Sequence, residues 1–273
     1  MAIDGRHNAV ALATVALMTD PRKPIEAHER FVGFADILGF RSLTRSTSTQ
    51  ALAHLYQGTF ARVAADAAAG GRSEHLLTTL NVRLFSDSVI WWTDSDRAAE
   101  FISLLQALRY LLAAGMCTGL PMRAAIHHGD LACGPLTFTS TKVLGETVVG
   151  TGLTNAYELA ESQEWAGGVV ADETIEKYRL LAQTVGAAAP PPNELESRGH
   201  VHRFPVPVKT SSGVAKVDHW AINWPGVLNT QVGADAIRSA FTDHGKTVDT
   251  ASVRAKVDYT VDFVRVAGKL SSD

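Results

Sequence analysis

The sequence predicts an α+β domain with a β-α-β-β-α-β core, in which two helices cover one face of a largely antiparallel sheet. Short apolar runs of strand length alternate with longer stretches in which apolar residues recur at helical spacing. Two strand-like runs are separated only by Ser86-Asp87-Ser88, a break about the length of a tight hairpin connection. The chain of 273 residues, of which 46% are hydrophobic, is long enough for one such domain. The other face of the sheet is expected to be free for a ligand or partner.

The first half of the core contains three predicted strands and one helix. The strands are short apolar runs, and the helix is an alanine-rich stretch that Gly70-Gly71 ends. In chain order these elements are the strand Phe31–Ile37, the helix Ala51–Ala69 and the hairpin strands Leu80–Phe85 and Val89–Thr93. Two acidic residues stand out in these apolar surroundings, Asp36 near the end of the first strand and Asp87 at the hairpin tip.

The second half begins with a leucine-rich amphipathic helix that Gly115 closes. A strand, a helix entered through a glycine-containing loop, a second strand and helix, a proline loop, a strand pair and a terminal helix follow. These are Met122–His128 with a turn at Gly129-Asp130 and a continuation at Leu131–Cys133, then Gly150–Glu161, Gly168–Ala171, Asp172–Leu180, Pro190-Pro191-Pro192, Val201–Val208 with Val217–Ile222, and a stripe of valines from Val253 to Val264.

The composition limits which kinds of partner and which cellular location we expect for the protein. A formal net charge of −3 provides no basic surface for gripping a nucleic-acid backbone, so we expect no nucleic-acid partner. No stretch reaches the roughly 20 apolar residues of a membrane span, and the apolar run Ala9–Met18 is too short and too interrupted for a signal peptide. Cys117 and Cys133 form neither a CxxC motif nor a disulfide framework, which favours reduced thiols and a cytoplasmic location.

Asp36 and Asp87 are the residues from which a chemical function can be argued. Two carboxylates at neighbouring strand ends repel one another unless a cation lies between them, and Mg²⁺ or Mn²⁺ is the hard divalent ion that oxygen ligands favour. A pair of such ions favours phosphoryl transfer at nucleotides. The loop from Ile37 to Phe40 can present backbone N–H groups to phosphate oxygens where the next helix begins.

The chain resembles the class III adenylate and guanylate cyclases in four segments that occur in the family's order. They are FADILGF at 34–40, LFSDSV at 84–89, PMRAAIHHGDLACG at 121–134 and GTGLTNAYELAE at 150–161. The resemblance covers roughly residues 30–225, and it implies an N-terminal extension at 1–29, a catalytic domain at 30–225 and a C-terminal helical extension at 226–273. It also implies the class III cyclase fold, with a ferredoxin-like core and an added C-terminal strand pair and helices.

The resemblance assigns the metal and substrate residues. It implies two Mn²⁺ or Mg²⁺ ions per site, held by Asp36, Asp87 and the main-chain carbonyl of Ile37, at the interface of a homodimer. Arg123 falls where the family often places an arginine on the triphosphate, a role that suits a bidentate guanidinium. Asn155 matches the asparagine that orients the ribose across the interface.

The sequence departs from the family at the position of the transition-state arginine, where Leu159 stands four residues after Asn155. Another positive group must then serve, or the activity is slow or absent. The candidates are Arg41, directly after the phosphate-binding loop with Phe40, and Lys209 or Lys216 near the late strand pair.

The base-reading positions also differ from the family. Arg83 occupies the position of the lysine of adenylate cyclases, and Val148 occupies that of their aspartate, so the adenine-reading pair is missing. Guanylate cyclases use an acidic residue at the first position, and an arginine cannot accept protons from guanine. Arg83 can donate to the carbonyl oxygens of uracil or to the single one of cytosine. The segments NAYELAE and HWAINW resemble the pyrimidine cyclases of bacterial Pycsar antiphage systems, which favours UTP over CTP and a product read by a separate effector protein.

Several alternatives remain open from the sequence. One is a cytidylate, adenylate or guanylate cyclase with unusual base contacts. Another is a catalytically degenerate cyclase fold that binds a nucleotide or a protein partner, an alternative motivated by Leu159. A diguanylate cyclase or polymerase palm also needs two metal-binding acids, but the chain has neither a GGDEF-like hairpin nor a basic surface.

Overall fold

The computed structural model describes residues 25–70, 80–137, 144–185, 192–269 and 271. Within these residues the chain forms an eight-stranded sheet of order β2-β3-β1-β4-β6-β8-β7, with β5 paired to β4 beside this path. The strands are β1 Ala27–Ile37, β2 Leu80–Phe85, β3 Ser88–Thr93, β4 Met122–Thr137, β5 Leu144–Val149, β6 Gly167–Val170, β7 Val201–Thr210 and β8 Gly213–Ile222. Only the β4–β6 pairing is parallel among the ladders of this sheet. The predicted α+β class with a largely antiparallel sheet is therefore confirmed.

The helices follow the predicted order with short additions. They are α1 Phe40–Ser46, α2 Thr49–Leu55, α3 Ala61–Gly70, α4 Ala98–Cys117, α5 Thr151–Ser162, α6 Asp172–Val185, α7 Pro192–Ser197, α8 Ala234–Thr242 and α9 Ala251–Val266. A π-helical turn, Tyr56–Phe60, joins α2 to α3, so that the predicted helix Ala51–Ala69 forms as one run with a bulge. The predicted apolar run Ala9–Met18 and most of the Pro190-Pro191-Pro192 loop lie outside the described residues.

The predicted turn at Gly129-Asp130 is wrong, because β4 continues through it to Thr137. Gly129 pairs with Arg30, and Asp130 pairs with Glu29, in the antiparallel ladder with β1. Beyond them, β5 pairs with β4 from Ala132 onward. Ladder partners on neighbouring strands satisfy the backbone of this segment, and this tertiary pairing outweighs the turn preference of a Gly-Asp dipeptide.

The core helices and α5 lie on opposite faces of the sheet. On one face, Phe31 of β1 packs against Phe101 of α4, with ring centroids 5.2 Å apart. On the other face, α5 packs against β1 and β4, where a Cβ atom on Gly129 would lie 2.8 Å from the backbone nitrogen of Gly152. The expectation that this second face is free is therefore wrong in part, because α5 covers some of it. Glycine at both positions lets the helix approach the strand closely.

Helix α4 is the centre of the hydrophobic core. Among the described residues, α4 alone is long and apolar enough to cross a membrane, with a mean hydropathy of 1.2. However, 78% of its apolar stretch is buried inside the protein. The C-terminal helices join the same core, since Phe263 of α9 packs edge-on against Trp165, and Thr260 accepts a hydrogen bond from the amide of Ala166. Residues 226–269, placed in the predicted extension, thus share the core of the sheet domain. At the other end, Ala27–Glu29 form the start of β1.

Candidate active site

The structure brings Asp36 and Asp87 to the same end of the sheet. Asp36 lies near the end of β1, and Asp87 lies in the turn between β2 and β3, which pair directly beside it. The amide of Ile37 donates a hydrogen bond of 3.0 Å to the carbonyl of Asp87. This bond fixes the hairpin tip against the end of the central strand, and the two acidic residues interact electrostatically.

Asp36 is buried, with 8% of its surface exposed. Burial raises the pKa of its carboxyl group, the charge and hydrogen bonds of Arg123 lower it in part, and the nearby charge of Asp87 raises it further. Arg123 binds both carboxylate oxygens, with Nε 2.8 Å from Oδ1 and Nη2 3.1 Å from Oδ2. Asp36 is therefore held in one orientation by a two-point ion pair.

Arg123 also contacts the C-terminal end of α5. Its Nη1 donates to the carbonyl of Glu161 at 3.0 Å, and its Nη2 is paired with the Glu161 carboxylate. Sequence reasoning placed Arg123 on the triphosphate and missed both Glu161 and the pair with Asp36. The carboxylates of Asp36 and Glu161 thus meet one guanidinium, and the charge of Asp87 acts on Asp36 from nearby. Carboxylate oxygens grouped in this way suit a hard divalent cation.

The segment from Asp36 to Phe40 leads from β1 into α1 and is here called the metal loop, because the sequence predicts metal ligands at Asp36 and Ile37. The amide of Leu38 donates to the carbonyl of Pro121 at 2.9 Å, and Gly39 has a φ of 77°. Phe40 is partly buried at the start of α1, and the side chain of Arg41 beside it is exposed. The loop is therefore anchored on the turn that precedes β4, while Arg41 extends toward solvent.

Arg83, on the edge strand β2, and Val148, on β5, lie on the same face of the sheet as Asp36. The guanidinium of Arg83 is 5.5 Å from the ring centroid of Trp92 and forms an ion pair with Glu146. Val148 packs onto the small apolar cluster that contains Trp92. Sequence reasoning missed Glu146, although it lies two residues before Val148, a spacing that puts both side chains on one face of β5.

Asn155 and Leu159 line a separate cavity of about 350 Å³ on the other side of α5. Its polar wall includes His127, whose Nε2 is 2.8 Å from the Glu173 carboxylate and 3.5 Å from the Asn155 amide. Asn155 precedes Glu161 by six residues, which is about 9 Å along a helix axis. Within one chain, the structure does not bring Asn155 together with Asp36 and Asp87.

Three cations were candidates to replace the arginine that is missing at position 159. Arg41 is exposed at the start of α1, and the two lysines lie in different places. Lys209 donates to the carbonyl of Glu161 at 2.9 Å, next to the Arg123 contact, and its charge lowers the pKa of Asp36. Lys216 lies over the ring of Tyr259, 5.6 Å from its centroid. Of these two lysines, Lys209 is the one that the fold brings to the acidic cluster.

A second group of acidic residues and histidine lies toward the other end of the sheet. Potential ligand atoms of Glu29, Asp96 and His128 lie within 4.8 Å of one another. The ammonium of Lys177 is 2.8 Å from the Glu29 carboxylate and 3.1 Å from that of Asp96. Its hydrogen bond to Glu29 lowers the pKa of Glu29 and raises that of Lys177, so Lys177 forms an ion-pair network with these two carboxylates.

No family model matches the chain, and no curated protein matches it. Solved structures with a similar fold include the guanylyl cyclase Cya2, at 14% identity and a TM-score of 0.47, covering 72% of this chain and 92% of that one. A bacterial light-regulated adenylyl cyclase has 11% identity and a TM-score of 0.47, covering 80% and 99%. The adenylyl cyclase CyaB from P. aeruginosa has 15% identity and a TM-score of 0.44, covering 72% and 95%. Similarities this low assign no activity to the chain.

Proposed function

We propose that the protein is a nucleotidyl cyclase, which converts a nucleoside triphosphate to a 3′,5′-cyclic nucleotide and pyrophosphate at a site shared by two copies of the chain. The observation that carries the proposal is the meeting of Asp36 and Asp87 at one sheet end, where the amide of Ile37 binds the carbonyl of Asp87 and the charge of Asp87 acts on Asp36. The four ordered motifs of the sequence support the same reaction.

Asp36, Asp87 and the carbonyl of Ile37 are the oxygen donors that would hold two Mn²⁺ or Mg²⁺ ions. Such ions lower the pKa of the ribose 3′-hydroxyl and neutralise charge on the α-phosphate and on the departing pyrophosphate. In the proposed step the 3′-oxygen bonds to the α-phosphorus and loses its proton to water. The bond between the α-phosphorus and the oxygen that bridges to the β-phosphorus breaks, and this oxygen leaves with the pyrophosphate. Arg123 keeps Asp36 oriented for this role through its two hydrogen bonds.

Arg123 and Lys209 are the cations that we propose for the triphosphate. Both donate to the carbonyl of Glu161, so their positive groups converge at the C-terminal end of α5. Phosphate oxygens can replace the Glu161 contacts, because a guanidinium and an ammonium bind phosphate as readily as carboxylate. Lys209 in this position compensates for the missing arginine at Leu159.

For the nucleobase, we propose uracil as the preferred partner of Arg83 and Glu146. The guanidinium can donate to the O4 carbonyl, while the Glu146 carboxylate accepts from N3–H. Guanine is the second candidate, because Glu146 supplies the acceptor that Arg83 lacks: O6 would face Arg83, and N1–H with the 2-amino group would face Glu146. Val148 and Trp92 form the apolar floor beside this pair.

We propose a homodimer because Asn155 lines a separate cavity, six residues along α5 from the Glu161 that contacts Arg123, and so does not reach the aspartates of its own chain. Large apolar side chains are exposed on this side of the molecule, with Phe85 at the hairpin tip 76% exposed and Tyr157 on α5 47% exposed. A second copy that covers them would bring its Asn155 to the metal ions of the first. A site built from two identical chains has this reciprocity.

In the cell, we propose that the cyclic nucleotide is an antiphage signal read by a separate effector protein. The motifs NAYELAE and HWAINW support this role by their resemblance to pyrimidine cyclases. Cyclic UMP measured in cells that express the protein, before and after phage infection, tests it. A level that does not change on infection contradicts the role without affecting the proposed chemistry.

The reaction itself is tested by incubating the purified protein with each of the four nucleoside triphosphates and Mn²⁺. Mass spectrometry of the products should show cyclic UMP as the main product. Cyclic GMP as the main product would favour the guanine arrangement of Arg83 and Glu146. Tight nucleotide binding with no cyclic product from any of the four would support the degenerate, binding-only alternative and overturn the proposed activity.

A further inference from the structure

The segment after α8 packs against the metal loop and the turn that anchors it. His244, in the 3₁₀ turn Asp243–Gly245, places its Nε2 at 2.9 Å from the carbonyl of Thr118. The carbonyl of His244 accepts a hydrogen bond of 3.5 Å from the hydroxyl of Ser46 at the end of α1. This segment therefore contacts both the C-terminal end of α1 and the turn before β4.

Lys246 is the buried residue of this contact, with 6% of its surface exposed. Its Cδ lies 3.6 Å from the position that a Cβ of Gly39 would occupy, so its aliphatic stem lies along the metal loop. Its ammonium donates to the carbonyl of Gly119, and at 3.0 Å to that of Ala240 in the last turn of α8. One side chain thus joins the metal loop, the turn before β4 and the C-terminal helices.

The turn at residues 118–121 connects Lys246 to the metal loop through hydrogen bonds. Gly119 has a φ of 73°, and a Cβ there would lie 2.5 Å from the Cβ of Asp243, so glycine is needed for the close approach. Two residues later, the carbonyl of Pro121 accepts the hydrogen bond from the amide of Leu38. Leu38 directly follows Ile37, whose carbonyl is a proposed metal ligand.

We propose that Lys246 is a positioning residue for the metal loop, and that the C-terminal segment thereby sets the affinity of the site for divalent cations. The ammonium holds the turn that binds Leu38, and the stem supports Gly39, so both residues that follow Ile37 are fixed. The proposal rests on the proposed function in so far as the cations bind at Asp36, Asp87 and Ile37.

The test compares Lys246→Met with the matched control Lys269→Met. Methionine keeps the apolar stem and removes the ammonium. Lys269 also lies in the C-terminal segment and donates to a main-chain carbonyl, that of Leu228 at 3.0 Å, which belongs neither to the metal loop nor to the turn before β4. Amide hydrogen exchange of peptides spanning residues 37–43 and Mn²⁺ binding, followed by the paramagnetic resonance of free Mn²⁺, are the two readouts.

Lys246→Met should exchange faster at residues 37–43 and bind Mn²⁺ about tenfold more weakly, as found when groups that orient metal ligands are removed. Its kcat at saturating Mn²⁺ should stay within about twofold of the wild type, because the loop adopts the same geometry once the ions are bound. Lys269→Met should match the wild type in all three measurements.

Unchanged exchange and unchanged Mn²⁺ affinity in Lys246→Met would overturn the positioning role. If this variant does not fold, His244→Asn serves instead, because asparagine tolerates the φ of 59° at this exposed position but is too short to reach Thr118. It should change both readouts in the same direction, by less. A wild type that binds no Mn²⁺ would instead overturn the proposed metal site, while hydrogen exchange alone would still decide whether Lys246 holds the loop.

Discussion

Asp36 and Arg123 face each other across the β1–β4 ladder and form a two-point ion pair in which each side chain is only 10% exposed. The pair is buried next to a second carboxylate, Asp87, and its guanidinium also reaches Glu161. An ion pair so placed keeps a carboxylate ionised and oriented inside the protein, where burial alone would favour the protonated form.

Asp87→Asn should reduce cyclase turnover by at least about a thousandfold, because the amide keeps the shape of the side chain but removes the charge that holds the cations. Thermal unfolding should change little, since Asp87 lies in a partly exposed turn. Asp130→Asn, an exposed acid on β4, is the control and should keep full activity. Near-normal turnover by Asp87→Asn would remove this residue from the site.

Arg123→Met should lower the free energy of unfolding by about 3 kcal/mol, because it leaves the buried Asp36 carboxylate without its partner. The double variant with Asp36→Asn should recover much of this loss, since neither charge then remains. Urea unfolding of the wild type, both single variants and the double variant measures the coupling. A double variant no more stable than Arg123→Met would contradict the pairing.

The destabilisation by Arg123→Met should also depend on pH. Burial already raises the pKa of Asp36 above its ordinary value of 3.8, and loss of the guanidinium should raise it further. For a group with a raised folded pKa, the stabilising contribution is complete below the unfolded pKa and is lost as the pH rises through the folded pKa. The variant should therefore be closer to the wild type at pH 5 than at pH 8 in the same urea experiment.

A mixture of two inactive variants should regain activity if the site is shared. Asp87→Asn and Asn155→Ala each disable a different half of the proposed interface. Random exchange between the two homodimers makes half of the dimers mixed, each with one intact site, so activity should reach roughly one quarter of the wild type. A mixture as inactive as its components, after exchange verified by mass spectrometry, would place both residues in one chain's site.

Glu146→Gln should weaken the choice of nucleobase more than the fold. The Arg83–Glu146 pair is partly exposed, with 48% and 30% of the side chains accessible, so stability should change by less than about 1 kcal/mol. The kcat/KM for the preferred triphosphate should fall by about tenfold or more, because the amide replaces one acceptor with a donor. Glu176→Gln, on the exposed face of α6, is the matched control.

The sequence by itself determined most of the strands and helices, although it did not predict β5, and it placed Asp36 and Asp87 at the ends of neighbouring strands. The hairpin Leu80–Phe85 and Ser88–Thr93 and the helix after Gly150 follow from apolar periodicity and turn residues within short windows. The predicted turn at Gly129-Asp130 failed because ladder pairing with Glu29 and Arg30 outweighed a local preference.

The tertiary structure decided which charges meet. Arg123 lies 87 residues from Asp36, Arg83 lies 63 residues from Glu146, and Lys246 lies 127 residues from Gly119. The first two contacts depend on strand register, because a shift of one residue would turn each of these strand side chains to the opposite face. The third depends on how the segment after α8 packs against the turn before β4. Local periodicity specifies the elements, whereas the partners of their polar side chains exist only once the sheet has paired.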